Sequence, residues 1–437
     1  MTDDARWTLD EGPMHRVQVL VVALCIALNA LDGFDVLSIS FAAPGIAAEW
    51  GIDRAVLGVV LSMELLGMAL GSVLIGNVAD RIGRRPTILG CLVVMVLGMF
   101  AAAAATGVTM LSATRLATGL GIGGMLSSTS ALVAEFSSTR RRGLTTSLNI
   151  AGYSAGVILG GTVAAALLGQ TGDWRSVFLL GGAATLALLP VTALLLPESP
   201  AFLLARRPQH ALERINALAA RIGRPTLAAL PPCAAQARAP SPTILFAPAY
   251  RRATFLLAIA YFAQIMLFYF LQKWIPKIVV DMGHPAAAAG RVLVMANVGT
   301  LSGAIAIGLV AQRWPVRPVV MAAMMAGFAA IAVFGLGSGS LVRLGATAAV
   351  AGFFINAGVV GLYPILADTF PAAVRASGTG FVIGVGRGGS ALGPVVAGAM
   401  FAGGAGLFAV SLAMGAGGLV AAAMLLILGR RSDRQAA

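Results

Sequence analysis

Residues 76–85 read Gly76-Asn77-Val78-Ala79-Asp80-Arg81-Ile82-Gly83-Arg84-Arg85, a polar stretch set between apolar runs at 54–77 and 86–106. A short cluster of charge flanked on both sides by about twenty apolar residues reads as a turn outside a bilayer, joining two helices that cross it. Working outward, the same alternation of apolar run and polar break recurs along the chain. It predicts spans at 17–45, 54–77, 86–106, 109–134, 144–168, 174–196, 252–280, 288–311, 317–338, 342–366, 376–401 and 404–429.

The composition agrees. Of 437 residues, 58% are hydrophobic and 11% charged, with a mean hydropathy of +0.90, whereas a soluble domain carries roughly 25% charge. The expected fold class is an all-α membrane protein with twelve transmembrane helices. The formal charge of +13 does not point to nucleic acid, because the basic residues lie between apolar runs and not in patches interleaved with aromatics. Cys25, Cys91 and Cys233 are odd in number and two fall inside spans, so neither a disulfide framework nor a metal site is expected. Residues 17–31 resemble the core of a signal peptide, but Asp32 and Asp35 follow at once and no small-residue cleavage site precedes them. They read as a retained first span.

Loop charge gives the orientation. With both termini on one side, that face collects 22 of the 30 Lys and Arg residues and the other face five, which places the termini and the central loop in the cytoplasm. The chain divides into a six-helix bundle over 1–196, a cytoplasmic linker over 197–251 and a second bundle over 252–437. Within the linker Leu212, Ile215, Leu218, Ala219 and Ile222 recur at helical spacing, predicting a short amphipathic helix on the membrane surface. A shift of 233 positions pairs Glu135 with Asp368, Arg142 with Arg375, Gly119 with Gly352, Gly156 with Gly389 and Gly160 with Gly393. Two parallel six-helix pseudo-repeats would place a substrate site near the midplane between them.

Ionisable residues deep in a span are costly, so they mark function. Six stand out: Asp32, Asp35, Glu64, Arg115, Lys273 and Arg387. Asp32 and Asp35 project toward one face of their helix, with Gly33 between them. Burial and mutual repulsion favour proton uptake by one of them, which makes the pair a proton-coupling device or, alternatively, half of a static ion pair with Arg115. Glu64 suits a proton relay or a helix-to-helix bond. Arg115 and Arg387 stay charged and can grip a carboxylate through paired hydrogen bonds. Lys273 and Lys277, the only lysines, would draw anions inward or snorkel to the interface. Tyr153, Gln264, Asn297 and Asn356, with Asn149, fall near mid-span, where they could orient a substrate or bond neighbouring helices. Phe34, Phe268, Tyr269, Phe270 and Trp274 are candidate walls for an aromatic ligand.

The stretch 76–85 resembles the signature loop of the major facilitator superfamily, and Pro197-Glu198-Ser199-Pro200 is similar to the end of that superfamily's N-terminal half. The resemblance implies the major facilitator fold, with Asp80, Arg81, Gly83, Arg84 and Arg85 forming a charge latch that breaks and remakes as the halves rock. Leu31-Asp32-Gly33-Phe34-Asp35 resembles the first-helix motif of the aromatic acid:proton symporters, and Arg115, Glu135, Arg375 and Arg387 fall where that family carries functional charges. Glu135, Arg142, Asp368 and Arg375 join the latch residues in this reading. The chain departs from the family at Gln312 and Arg317, where an Asp and a His are usual, so the second-half latch should be weaker or differently built. Val157 stands where drug antiporters place proline, which argues against export.

The resemblance implies a transporter and not an enzyme: import of an aromatic carboxylate with protons across a bacterial inner membrane. The partners implied are a small organic anion, the proton and the lipid bilayer, with no nucleic acid and no cofactor beyond the proton as coupling ion. Rival readings are a symporter of a non-aromatic acid such as muconate, a proton-coupled exporter, and a receptor that binds an aromatic acid without moving it.

Overall fold

The computed structural model describes residues 14–230 and 242–436. Six long helices come first: α1 (Arg16–Trp50), α2 (Arg54–Ile82), α3 (Arg84–Ala103), α4 (Val108–Phe136), α5 (Arg142–Thr171) and α6 (Arg175–Leu195). Two short helices, α7 (Pro200–Arg206) and α8 (Ala211–Arg221), and a 3-10 turn at Pro242–Phe246 follow. Six more long helices complete the chain: α9 (Arg251–Asp281), α10 (Ala286–Val310), α11 (Val316–Gly335), α12 (Leu341–Thr369), α13 (Ala372–Ala402) and α14 (Leu407–Ala436). Twelve helices among the described residues are long and apolar enough to cross a membrane. Leu97, Leu159, Leu194 and Val342 lie at least 64% exposed on their outer faces, a pattern suited to hydrocarbon and not to water. Cys233 lies outside the described residues. Cys25 and Cys91 are buried free thiols.

The internal echo in the sequence marks equivalent helix crossings. A methyl group on Gly119 would strike the Glu64 carbonyl, where α4 crosses α2, and one on Gly352 would strike the Ala296 carbonyl, where α12 crosses α10. Gly156 meets Ala30 where α5 crosses α1, and Gly389 meets Phe262 where α13 crosses α9. The absent side chain lets one backbone lie directly on another. The same contact is made once in each half.

Two expectations change. The polar stretch 76–85 is not a loop: residues through Ile82 finish α2, and Gly83 alone, at φ +108°, turns the chain into α3. A side chain at Gly83 would be conformationally strained and would meet the Glu198 carboxylate and the Phe202 ring. The amphipathic helix does form, as α8, but its Ala211, Ile215, Leu218 and Ala219 are buried in the protein and it packs on α7. The apolar stripe expected on lipid is spent on protein.

The halves meet chiefly at the end away from α7 and α8. There α2 lies on α13, with Gly58 beneath the Pro394 carbonyl and Gly398 beneath the Arg54 carbonyl, and α5 lies on α10 through Gly161 and Val294 and through Ala165 and Gly290. Arg54 also reaches Asp281 at 2.9 Å and stacks on the Phe401 ring. At the arginine-rich end, by contrast, Gly380 and Gly384 of α13 have open space where a side chain would stand.

Candidate functional site

The D-G-F-D stretch of α1 is held by α5. A side chain on Gly33 would collide with the Tyr153 carbonyl, so this glycine does not leave the backbone open between the two aspartates, as its spacing suggests. It admits a crossing helix. Asp32 and Asp35 flank that crossing and are 0% exposed, as are Glu64, Arg115 and Lys273. Gly181 of α6 leaves room for the Asp35 carboxylate, since a methyl there would lie 2.8 Å from its Oδ1.

The static ion pair with Arg115, the alternative reading of the aspartates, is made instead with Glu64. Arg115 donates to the Glu64 carboxylate, and its Nη2 also donates to the Asp35 backbone carbonyl at 2.9 Å. Its Nη1 lies 2.9 Å from the Met99 sulfur, and its guanidinium sits 5.3 Å from the centre of the Phe178 ring. Arg115 thus spends its two terminal nitrogens within the bundle, while its Nε has no hydrogen-bond partner among the described residues. The glycine crossing at Gly119 explains the pairing, because it brings α4 onto α2 one helical turn from Arg115.

Lys273 corrects a second expectation. It neither snorkels nor lines an entrance: its Nζ donates to the Val36 carbonyl of α1 and lies 3.5 Å from Glu64 Oε2 of α2, so a cation of the second half is inserted into the first. Three acids therefore share the buried cluster with two bases. Both oxygens of Asp32 and both of Asp35 lack a hydrogen-bond partner among the described residues, with the Thr185 hydroxyl near Asp35. Lys277 pairs with Asp281 at the helix end.

Arg387, the remaining intramembrane base, stands apart on α13 and is half-buried. Around it lie aromatic hydroxyls. Tyr261 and Tyr363 share a hydrogen bond of 3.1 Å with their rings edge to face, Tyr153 bonds to Tyr269 from the opposite half, and Arg387 acts electrostatically on Tyr261 and Tyr269. Phe268 packs edge-on against Tyr269. Four of the five tyrosines in the chain thus form one linked cluster, two of them within the field of Arg387. Tyr269 is one turn along α9 from Lys273, so this cluster borders the buried charges. Sequence reasoning passed over Tyr261 and Tyr363; the scarcity of tyrosine and the two-turn spacing of Tyr261 and Tyr269 were the available signals.

The other candidates make contacts between helices. Gln264 donates to the Ile355 carbonyl and Asn356 to the Thr300 carbonyl, each at 2.8 Å, while Asn297 bonds reciprocally with Gln272. The Asn149 carbonyl accepts from Asn29. Phe34, Phe270 and Trp274 are buried, and the Trp274 indole donates to the Pro394 carbonyl.

At the arginine-rich end the residues of the stretch 76–85 enter a network around α3. Arg84 reaches Glu135 at 3.0 Å and Asp80 at 3.7 Å, and Glu135 accepts from the Ser199 hydroxyl. Glu198 Oε1 accepts from the backbone N–H groups of Arg84, Arg85 and Ser199 at 2.8–3.1 Å, so a residue following α6 caps α3. Arg85 bonds the Ala193 carbonyl and Arg206 the Asp80 carbonyl, whereas Arg81 is exposed. Arg142 opens α5 beside this network. In the second half Asp368 is exposed and Arg375 donates to the Phe370 carbonyl at 3.3 Å; no ion pair joins these two residues among the described contacts.

Comparison with known proteins aligns with this architecture. The family model described as Major Facilitator Superfamily matches residues 23–342. A gallate transporter of Pseudomonas putida is 32% identical over 432 residues, 98% of this chain and 95% of the relative. The 4-hydroxybenzoate transporter PcaK of the same organism is 31% identical, covering 89% of this chain and 88% of the relative. The 3-(3-hydroxy-phenyl)propionate transporter of Escherichia coli K12 is 31% identical, covering 95% and 96%. Among solved structures, the inward-open conformation of the E. coli xylose transporter XylE superposes with a TM-score of 0.72 at 16% identity, covering 94% of this chain and 96% of that one. At that identity the likeness concerns the fold.

Proposed function

The chain belongs to the Major Facilitator Superfamily, as a multi-pass membrane protein of a class of transporters and not of enzymes, and from that premise we propose that it imports aromatic carboxylates together with protons. The observation that carries the substrate class is the linked cluster of Tyr153, Tyr261, Tyr269 and Tyr363, with Arg387 acting on Tyr261 and Tyr269. Aromatic rings supply the apolar walls and hydroxyls that suit a hydroxylated benzoate, and the half-buried guanidinium supplies a fork for its carboxylate. The names of the relatives, transporters of gallate, 4-hydroxybenzoate and hydroxyphenylpropionate, support the same class.

Proton coupling rests on the buried cluster. Asp32 and Asp35 exceed the cations available to compensate them, so uptake of a proton there is the least costly way to hold them in a dry interior. The excess of Lys and Arg at the end carrying the termini and the α7–α8 segment supports placing that end in the cytoplasm of a bacterial inner membrane. In that orientation the glycine-lined contacts of α2 with α13 and of α5 with α10 close the outer side. Each six-helix bundle then moves as a unit about the segment between α6 and α9, the substrate and proton being the only small ligands and no cofactor being required.

The test is uptake of labelled 4-hydroxybenzoate into proteoliposomes under an acid-outside gradient, with gallate, benzoate, 3-(3-hydroxyphenyl)propionate and muconate as competitors. Uptake abolished by an uncoupler and competed by the aromatic acids supports the reading. Competition by muconate alone moves the substrate class, accumulation only against an acid-inside gradient indicates export, and binding without counterflow indicates a receptor.

A further inference from the structure

Among the described residues, Lys273 is the one buried charge that crosses between the halves. It stands on α9, in the second half, yet its ammonium is held by the Val36 carbonyl of α1 and faces Glu64 of α2. Arg115 of α4 acts on it from behind Glu64. Glu64 in turn acts on Asp32 and Asp35 of α1 and on Tyr153 of α5. On α9 itself Tyr269 lies one turn away, α10 presents the uncharged Asn297 to the adjoining Gln272, and Arg387 of α13 and Tyr363 of α12 belong to the neighbouring tyrosine cluster.

We propose that Lys273 is a tethered cation that enters the acid cluster when the outer side closes and displaces one proton from the Asp32–Asp35 pair. The proposal rests on the reading of the chain as a proton-coupled importer. Its basis is charge counting at a site with no exposed members. When the outer side opens, α9 parts from α1 and α2 and takes the lysine with it. Glu64 and Arg115 then compensate each other, and Asp32 and Asp35 are both neutral only if each holds a proton. When the outer side closes, Lys273 returns as an ammonium and adds one positive charge. Neutrality is restored by loss of one proton from either aspartate, which leaves as hydronium to the cytoplasmic water while the lysine keeps its own protons. A single lysine displaces a single proton, so the geometry sets the coupling at one proton for each closure. The aromatic anion on Arg387 is compensated separately, and a monoanion moves with that proton without net charge.

The experiment uses the full chain in proteoliposomes with the membrane potential clamped at zero and a gradient of about one pH unit, acid outside, for which one coupled proton supports about tenfold accumulation of a monoanion. Two readouts are taken with 4-hydroxybenzoate: net accumulation, and counterflow exchange between loaded vesicles at equal pH. Wild type is expected to accumulate about tenfold and to exchange. Lys273→Met is expected to exchange while accumulating nothing, because no cation arrives to expel the proton, and Lys273→Arg to regain accumulation. Wild-type accumulation by Lys273→Met overturns the proposal, as does loss of both exchange and accumulation in a Lys273→Met protein whose melting temperature is unchanged. Should that variant fail to fold, the wild-type ratio decides alone: about a hundredfold requires two protons, which one lysine cannot displace. A wild type that exchanges nothing overturns the transport reading itself, and the lysine proposal with it.

Discussion

Arg115 on α4 is paired with Glu64 on α2, and neither side chain has any exposed surface. Removing one member of such a pair leaves the other buried and uncompensated, at a cost of about 3–5 kcal/mol. Glu64→Gln strands two cations, Arg115 and Lys273, whereas Arg115→Met strands one anion that still has Lys273 3.5 Å away. Glu64→Gln is therefore expected to lower the melting temperature in detergent further than Arg115→Met, and the double variant to recover part of the loss. Equal single effects that simply add would show that the pair is not coupled.

Gly33 carries the crossing of α5 over α1. Gly33→Ala places a methyl group against the Tyr153 backbone carbonyl, and a carbonyl within a helix yields only if the helix moves; overpacking of this kind costs about 1–3 kcal/mol. The expected outcome is a lower melting temperature together with weakened binding at the tyrosine cluster, since Tyr153 moves with its helix. Gly90→Ala, at a site with nothing within 4 Å, is the matched control and should leave both unchanged.

For Arg387 the discriminating replacement is lysine, which keeps the charge and loses the two-pronged fork. Arg387→Ala is expected to weaken equilibrium binding of 4-hydroxybenzoate by about tenfold or more, equivalent to about 1.4 kcal/mol, with Arg387→Lys intermediate. Binding of the neutral amide analogue should change little in either variant. An equal loss for acid and amide would mean that Arg387 holds the tyrosines in place and does not contact the carboxylate.

Uptake should rise as the outer pH falls, because protons are taken from that side and the loaded form is the protonated one. Asp32→Asn fixes a neutral side chain at a position where both carboxylate oxygens lack partners, so the fold should be retained. Asp35 then remains as the one proton donor, so this variant is expected to keep accumulation, whereas the double variant Asp32→Asn/Asp35→Asn should exchange without accumulating and without a response to outer pH. Loss of accumulation in Asp32→Asn alone would assign the coupled proton to Asp32.

Glu198 accepts three backbone N–H groups at the start of α3 and α7, a capping arrangement in which replacement by alanine costs about 0.5–2 kcal/mol. Glu198→Ala should loosen α7 and α8 from the bundle and speed proteolysis between α6 and α9, with substrate binding unchanged. Protection equal to wild type would show that Arg84 and Glu135 hold the segment without it.

What could be seen in the sequence was governed by the solvent. Hydrocarbon demands long apolar helices with charge outside them, so twelve spans and their loops were legible, as was the depth of Asp32, Glu64, Arg115 and Lys273 within them. Depth does not specify a partner. Asp32, Asp35 and Glu64 were all plausible counterions for Arg115, and only the glycine crossing of α4 over α2 selects Glu64. Lys273 sits within a turn of Lys277, at a level where snorkelling is cheap, and its insertion into the other half depends on a contact 237 residues away in sequence. The stretch 76–85 looked like a loop because its charges are dense. It is mostly helical because Glu198, more than a hundred residues later, satisfies the helix end that the charges expose.

The meeting of Gly58 with Pro394, and of Gly398 with Arg54, has a practical consequence for anyone wishing to capture the other half of the cycle. Backbone rests on backbone at both contacts, so the thickness of one methyl group is enough to keep α2 and α13 from seating. Alanine at either position becomes a wedge: a way to stock the carrier with its entrance ajar, without ligand, antibody or crosslink, for crystallisation or spectroscopy of the state facing the outside.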